Sequence, residues 1–158
     1  YYEKRTLHGS SLSPSIYSVM GLHVGDETKA YRYLRRAAFI DLTDLQKNTR
    51  EGIHAANAGG VWQTVVFGFA GVSFSEDGVV DIRPHMPKEW EGLSFKLHHR
   101  GSKMEITVLP DNSVTVTVLE GGPVSVRING EAMVLEGSGP ADEAVVPEGS
   151  GPAAGGRS

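Results

Sequence analysis

Two adjacent hydroxyls stand out in the stretch His8-Gly9-Ser10-Ser11-Leu12-Ser13-Pro14, together with Gly52-Ile53-His54 and Gly59-Gly60-Val61-Trp62 further along. Pro14 suits the first position of a helix, because its φ is preset and its missing N–H would be unpaired there anyway. Ser13 is then the expected N-cap, with Ser10 and Ser11 in the turn before it. Unpaired N–H groups and the positive end of the helix dipole meet at such a place, so it suits an oxyanion, phosphate above all. The plainer alternative is that the serines only cap the helix. His8 and His54 each sit in a Gly-containing loop ahead of a helix, and either imidazole can donate an N–H to an anion. A purely structural role is the commoner use of such a histidine.

Other chemistries fare worse. No cysteine occurs, so disulfides, thiolate metal sites and a cysteine nucleophile are excluded. His98 and His99 are neighbours in a strand and face opposite ways, a poor arrangement for one metal ion, and no His-x-x-x-His pair exists. A Ser-His-Asp hydrolase lacks its Gly-x-Ser-x-Gly elbow. Glu3 and Glu51 could form the carboxylate pair of glycoside hydrolysis, but nothing in the sequence fixes their separation. Trp62 and Trp90 could stack on sugars, though core packing is the commoner use of tryptophan.

These groups need elements to hold them. The 158 residues allow one ordinary domain or two small ones, and 39% hydrophobic with 22% charged residues describes a soluble globular chain. A net charge of −4 without a Lys/Arg cluster speaks against nucleic acid. No apolar run approaches the roughly 18–20 residues that cross a bilayer, and a cytoplasmic location is expected. The chain begins at Tyr1 inside what reads as an active-site loop, which suggests a fragment.

Helical spacing appears from Pro14 to about Val24 through Ile16, Val19, Met20 and Val24, closed by Gly25. Asp26 caps a second helix with Ala30, Tyr33, Leu34, Ala37 and Ala38 on one face. Lys29, Arg32, Arg35 and Arg36 face away, as a solvated surface. Asp41 to Asn48 reads as a short helix or turn. A third helix is expected from Ala58 to Phe69, with Gly59 and Gly60 at its start giving close approach to a helix or a ligand. After Gly71 the pattern changes. Val72-Ser73-Phe74 and Val79-Val80-Asp81-Ile82 flank a Glu76-Asp77-Gly78 turn. Alternations follow at Leu93, Phe95, Leu97; Met104, Ile106, Val108; Val114, Val116, Val118; and Val124, Val126, Ile128. Such period-two runs predict antiparallel strands in a β-sandwich. Beyond residue 134 a Gly/Ser/Pro/Ala tract, 135–158, is expected to be a disordered tail.

The stretches Tyr1-Tyr2-Glu3-Lys4-Arg5-Thr6-Leu7-His8-Gly9-Ser10-Ser11-Leu12-Ser13, Glu51-Gly52-Ile53-His54-Ala55-Ala56, Gly59-Gly60-Val61-Trp62-Gln63 and Pro84-His85-Met86-Pro87-Lys88-Glu89-Trp90 occur in that order. Together they resemble the C-terminal end of glycoside hydrolase family 65, which contains the maltose, kojibiose, nigerose and trehalose phosphorylases. The resemblance covers roughly residues 1–133. It implies an α+β chain: 1–71 as the last helices of an (α/α)6 catalytic barrel, and 72–134 as a small antiparallel β-sandwich.

It further implies a phosphate site made of Ser10, Ser11 and His54, with N–H groups of Gly9, Gly59 and Gly60 as helpers. The partners would be an α-linked glucose disaccharide and inorganic phosphate as co-substrate, with no cofactor, no metal, no nucleic acid and no membrane. A homodimer of the full-length enzyme is left open. The reaction would invert an α-glucoside to β-glucose 1-phosphate. The family's general-acid Glu lies upstream of these stretches, and neither Glu3 nor Glu51 matches its motif. A hydrolase of the same family and a noncatalytic carbohydrate-binding or interaction module are the rival readings.

Overall fold

The computed structural model describes residues 3–7, 9–137 and 143–147. Tyr1, Tyr2, His8 and the parts of the expected tail at 138–142 and 148–158 lie outside the described residues. The chain forms two compact units, 1–69 and 70–158.

The first unit is helical. A short 3-10 turn at Glu3–Arg5 precedes α1 (Ser13–His23), α2 (Glu27–Ala38) and α3 (Ala55–Gln63). A π-helical stretch, Thr64–Phe69, continues α3. Asp26 caps α2 as expected, its side chain accepting from the Lys29 N–H at 3.0 Å. Ala30, Tyr33, Leu34 and Ala37 form the buried face of that helix.

Helix α1 departs from expectation in two ways. Its N-cap is Leu12, in helical backbone geometry, and Ser13 is the first helical residue. Its apolar stripe also points outward: Ile16, Met20 and Val24 are exposed, while Ser15, Ser18, Gly21 and Leu22 are buried. The reason is close approach. The Ser18 hydroxyl donates to the Ala30 carbonyl at 2.7 Å, and a methyl added at Gly21 would sit 3.1 Å from Ala30. Small residues let the two backbones meet, a contact that hydrophobic periodicity does not register.

Among the described residues the second unit holds eight strands: β1 (Val72–Phe74), β2 (Val80–Ile82), β3 (Leu93–His99), β4 (Ser102–Val108), β5 (Val114–Glu120), β6 (Val124–Ile128), β7 (Glu131–Leu135) and β8 (Glu143–Val146). They form two four-stranded sheets, β1-β2-β6-β7 and β3-β4-β5-β8. Alternate residues of β4, β5 and β6 are buried, and Met104, Ile106, Val116, Val126 and Ile128 are inaccessible to solvent. Burying one such side chain contributes about 1.5–3 kcal/mol. The turns Arg100-Gly101 and Asn129-Gly130 have positive φ at both central residues, the geometry whose twist matches a two-residue hairpin.

The sandwich is not purely antiparallel, because β2 runs parallel to β6 with Val80 opposite Val126. The expected tail also needs correction. Glu143–Val146 pairs antiparallel with β5, Val146 lying opposite Val114 and almost fully buried. Strand β5 otherwise presents an open row of N–H and C=O groups on that side, and β-branched Val145-Val146 suits pairing there. Average composition of the Gly/Pro-rich tract concealed these four residues.

Candidate functional site

The helical unit positions the candidate residues through three short segments. Ahead of α1, Gly9 and Ser10 are exposed and Ser11 is half-buried. The Ser10 hydroxyl oxygen accepts from the Leu12 N–H at 3.3 Å, and the Ser10 carbonyl accepts from the Ser13 N–H at 3.2 Å. Pro14 has no N–H. Little of the α1 amide edge therefore remains for a ligand, and recognition there falls to the hydroxyls. That of Ser11 has no hydrogen-bond partner among the described residues.

The second segment runs from the end of α2 to residue 48. Ile40 is buried, the chain reverses through turns, and Asp44 and Lys47 take positive φ. Asp41 sits at the start of this segment and reaches His54 twice. Its Oδ2 accepts the His54 backbone N–H at 2.9 Å, and its Oδ1 lies 2.5 Å from His54 Nδ1. The hydrogen bond from the His54 side chain is the main reason the Asp41 carboxyl is held below its ordinary value. Asp44 is likewise lowered, chiefly by the Thr49 backbone N–H it accepts.

The third segment is the start of α3. His54 is its N-cap residue, and the His54 carbonyl accepts from Ala58 N–H at 3.1 Å. This is three residues earlier than the helix start expected from sequence. Gly59 and Gly60 consequently lie in the second turn, where N–H groups belong to the helical ladder and cannot serve an anion. Gly60 has a packing role instead, since a methyl added there would lie 2.6 Å from the Ser15 hydroxyl oxygen of α1. Asn57, buried, ties α3 to α2 by donating to the Ala37 carbonyl at 2.8 Å.

A cleft of about 340 Å³ is lined by Gly9, Pro14, Arg36, Ile40, Leu45, Gln46 and Asn48. Ser10, Ser11, His54, Gly59 and Gly60 are not part of its lining. Ser10 and Ser11 follow Gly9 directly, however, and Asn48 Nδ2 lies 3.4 Å from His54 Nε2. Gly9, next to the serine pair, and Asn48, which contacts His54, therefore both line this cleft. Sequence reading passed over two residues here. Arg36, expected on a solvated face and exposed, is also among the residues lining the cleft, and Asp41, expected only as part of a turn, lies thirteen residues before its partner His54.

The remaining candidates are placed elsewhere or do other work. His99 stacks on Phe74 with ring centroids 4.9 Å apart, and its Nε2 lies 2.9 Å from the Gly78 carbonyl. Trp62, expected in the core, is half exposed and meets Phe67 edge-on. Glu51 is exposed at the end of a 3-10 turn. Among the described residues no group of three His, Asp or Glu side chains is arranged to hold a metal, and no helix is long and apolar enough to cross a membrane.

Residues 1–63 match the glycosyl hydrolase family 65 central catalytic domain, and residues 74–135 match the glycosyl hydrolase family 65 C-terminal domain. A kojibiose phosphorylase of Caldanaerobacter subterraneus subsp. tengcongensis is 49% identical over 136 residues, covering 85% of this chain and 18% of that protein. An alpha,alpha-trehalose phosphorylase of Thermoanaerobacter brockii is 38% identical, over 86% of this chain and 17% of its own length. A maltose phosphorylase of Bacillus subtilis is 33% identical, over 87% and 18%. A solved structure provisionally named a kojibiose phosphorylase, from the human microbiome, superposes with a TM-score of 0.82 at 31% identity, covering 94% of this chain and 19% of that one. The chain thus spans about 18% of the length of the curated relatives it matches. Helices before a β-sandwich, each part matching its own domain of one family in the same order, place the chain in glycosyl hydrolase family 65.

Proposed function

We propose that this chain supplies the phosphate-holding part of an inverting disaccharide phosphorylase, which converts an α-glucoside and inorganic phosphate to β-glucose 1-phosphate and a free sugar. Phosphate attacking the anomeric carbon must be held opposite the leaving sugar, in a cradle rich in donors and positive charge. Ser10 and Ser11 would donate from their hydroxyls, His54 from its imidazole, and Gly9 from its backbone. Arg36, in the lining of the same cleft, would add positive charge.

The observation that carries the reading is a cleft whose lining includes Gly9 of the serine loop and Asn48, which contacts His54. The described loop Gly9-Ser10-Ser11-Leu12-Ser13 contains no carboxylate to activate a water, which favours phosphorolysis over hydrolysis. The names of the kojibiose, trehalose and maltose phosphorylases among the similar proteins support the same class.

The test uses a chimera in which this chain replaces the matching segment of the Caldanaerobacter kojibiose phosphorylase. Ser11→Ala and His54→Gln should each raise the KM for phosphate at least about tenfold, the worth of one hydrogen bond to a charged group. The KM for kojibiose should hold. Unchanged phosphate KM values in both variants would reject the reading.

A further inference from the structure

We infer that Asp41 is the positioning residue for His54, fixing which imidazole nitrogen faces the cleft; the inference rests on the phosphate reading above. The two contacts are geometrically coupled. One carboxylate oxygen takes the His54 backbone N–H at 2.9 Å and the other faces Nδ1 of the same residue at 2.5 Å. A carboxylate that grips both the main chain and the ring of one residue sets the position of that residue and the rotation of its side chain. Both groups are mostly shielded, with side-chain exposures of 20% for His54 and 23% for Asp41, so water competes poorly for the contact.

The chemistry follows from which nitrogen is occupied. An ionised carboxylate only accepts hydrogen bonds, so Nδ1 must carry a proton. Nε2 is then the nitrogen left to change, and it lies on the Asn48 side, 3.4 Å from the Asn48 amide that lines the cleft. With Nδ1–H committed to Asp41, a second proton on Nε2 gives an imidazolium whose free N–H points away from the carboxylate. That is the form an oxyanion takes up.

Asn48 Oδ1 is buried without a hydrogen-bond partner. Asn48 thus stands beside Nε2 with its acceptor oxygen unused, and its Nδ2 can donate to Nε2 only while that nitrogen is unprotonated. The full arrangement is Asp41 behind the ring and Asn48 with the cleft in front.

The experiment is a double-mutant cycle in the full-length chimera, read as the KM for inorganic phosphate and for kojibiose. Asp41→Asn keeps the shape and an acceptor for the backbone N–H but removes the charge. It should raise the phosphate KM about tenfold with the kojibiose KM unchanged. In a His54→Gln background the same substitution should add less than about twofold, because Asp41 acts through His54. Additive losses, or no loss from Asp41→Asn alone, would overturn the inference while leaving the phosphate reading intact. If His54→Gln itself leaves the phosphate KM unchanged, the phosphate reading falls and takes the inference with it.

A second measurement does not depend on the variant folding. Histidine-selective 15N NMR of the unsubstituted chain at neutral pH should show the His54 Nδ1 protonated, and an unprotonated Nδ1 would overturn the inference.

Discussion

The two units of this chain meet the same demands by opposite means. In the sandwich, Val, Ile and Met side chains from both sheets are removed from water almost completely, and few large apolar groups are left outside. In the helical unit the buried set includes Ser15, Ser18, Asn57 and Thr64, whereas Val24, Leu42 and Ile53 are each at least 74% exposed. The sandwich is held by apolar burial. The helices bury Leu34, Ile40, Val66 and Phe69 but add close backbone approach and buried side-chain bonds to carbonyls, as in Ser18 to Ala30, Asn57 to Ala37 and Thr64 to Ser15. The candidate chemistry sits in the unit with the weaker core, where polar groups are already part of the packing.

The sharpest way to break this contrast is to cut into each core. Ile106→Ala in β4 removes a side chain with no solvent exposure and should cost about 2–5 kcal/mol in urea denaturation of the chain. A loss under about 0.5 kcal/mol would mean the sandwich is not held by that core. In the helical unit, Gly60→Ala should cost about 1–3 kcal/mol, because the added methyl meets the Ser15 hydroxyl. Helical circular dichroism across the melt would report it, and a neutral or stabilising effect would show that α1 and α3 do not depend on close approach.

A smaller effect comes from pH. Asp41 has a lowered pKa in the folded chain, so its ionised form favours folding. That contribution is fully present above the ordinary value of 3.8 and is lost as pH falls below it through the lowered folded value. The protection of the His54 and Ala58 amides, measured against their intrinsic exchange rates, should therefore fall in acid, and Asp41→Asn should flatten that dependence. Smallest of all, Met20→Ser on the exposed face of α1 should change stability by no more than about 0.5 kcal/mol. A large loss would show that this face is covered in the folded chain.

The same contrast explains how much of the molecule could be read from its residues. Strict alternation in β4, β5 and β6 has one physical meaning, a strand with one face in a core, and the structure places those strands as expected. The parallel pairing of β2 with β6 is a long-range fact that no local pattern encodes. In α1 the usual assumption failed because Ser15, Ser18 and Gly21 pack by being small, so the apolar stripe of Ile16 and Met20 faces outward.

At the candidate site, the Ser-Ser pair and His54 were legible as residue types able to bind an anion. Asp41 was not, because its partnership with His54 depends on a chain reversal through Asp44 and Lys47, neither of them glycine and both at positive φ. The start of α3 was misplaced for the same reason: the Asp41 grip on His54 opens the helix at Ala55, before the glycines that drew the eye.

The central claim is that inorganic phosphate is a reactant held by this chain. Its most direct test is to follow kojibiose cleavage by the full-length chimera with and without inorganic phosphate, identifying the anomer of the product. β-Glucose 1-phosphate should form, and only when phosphate is present. Release of free glucose at an equal rate without phosphate would contradict it.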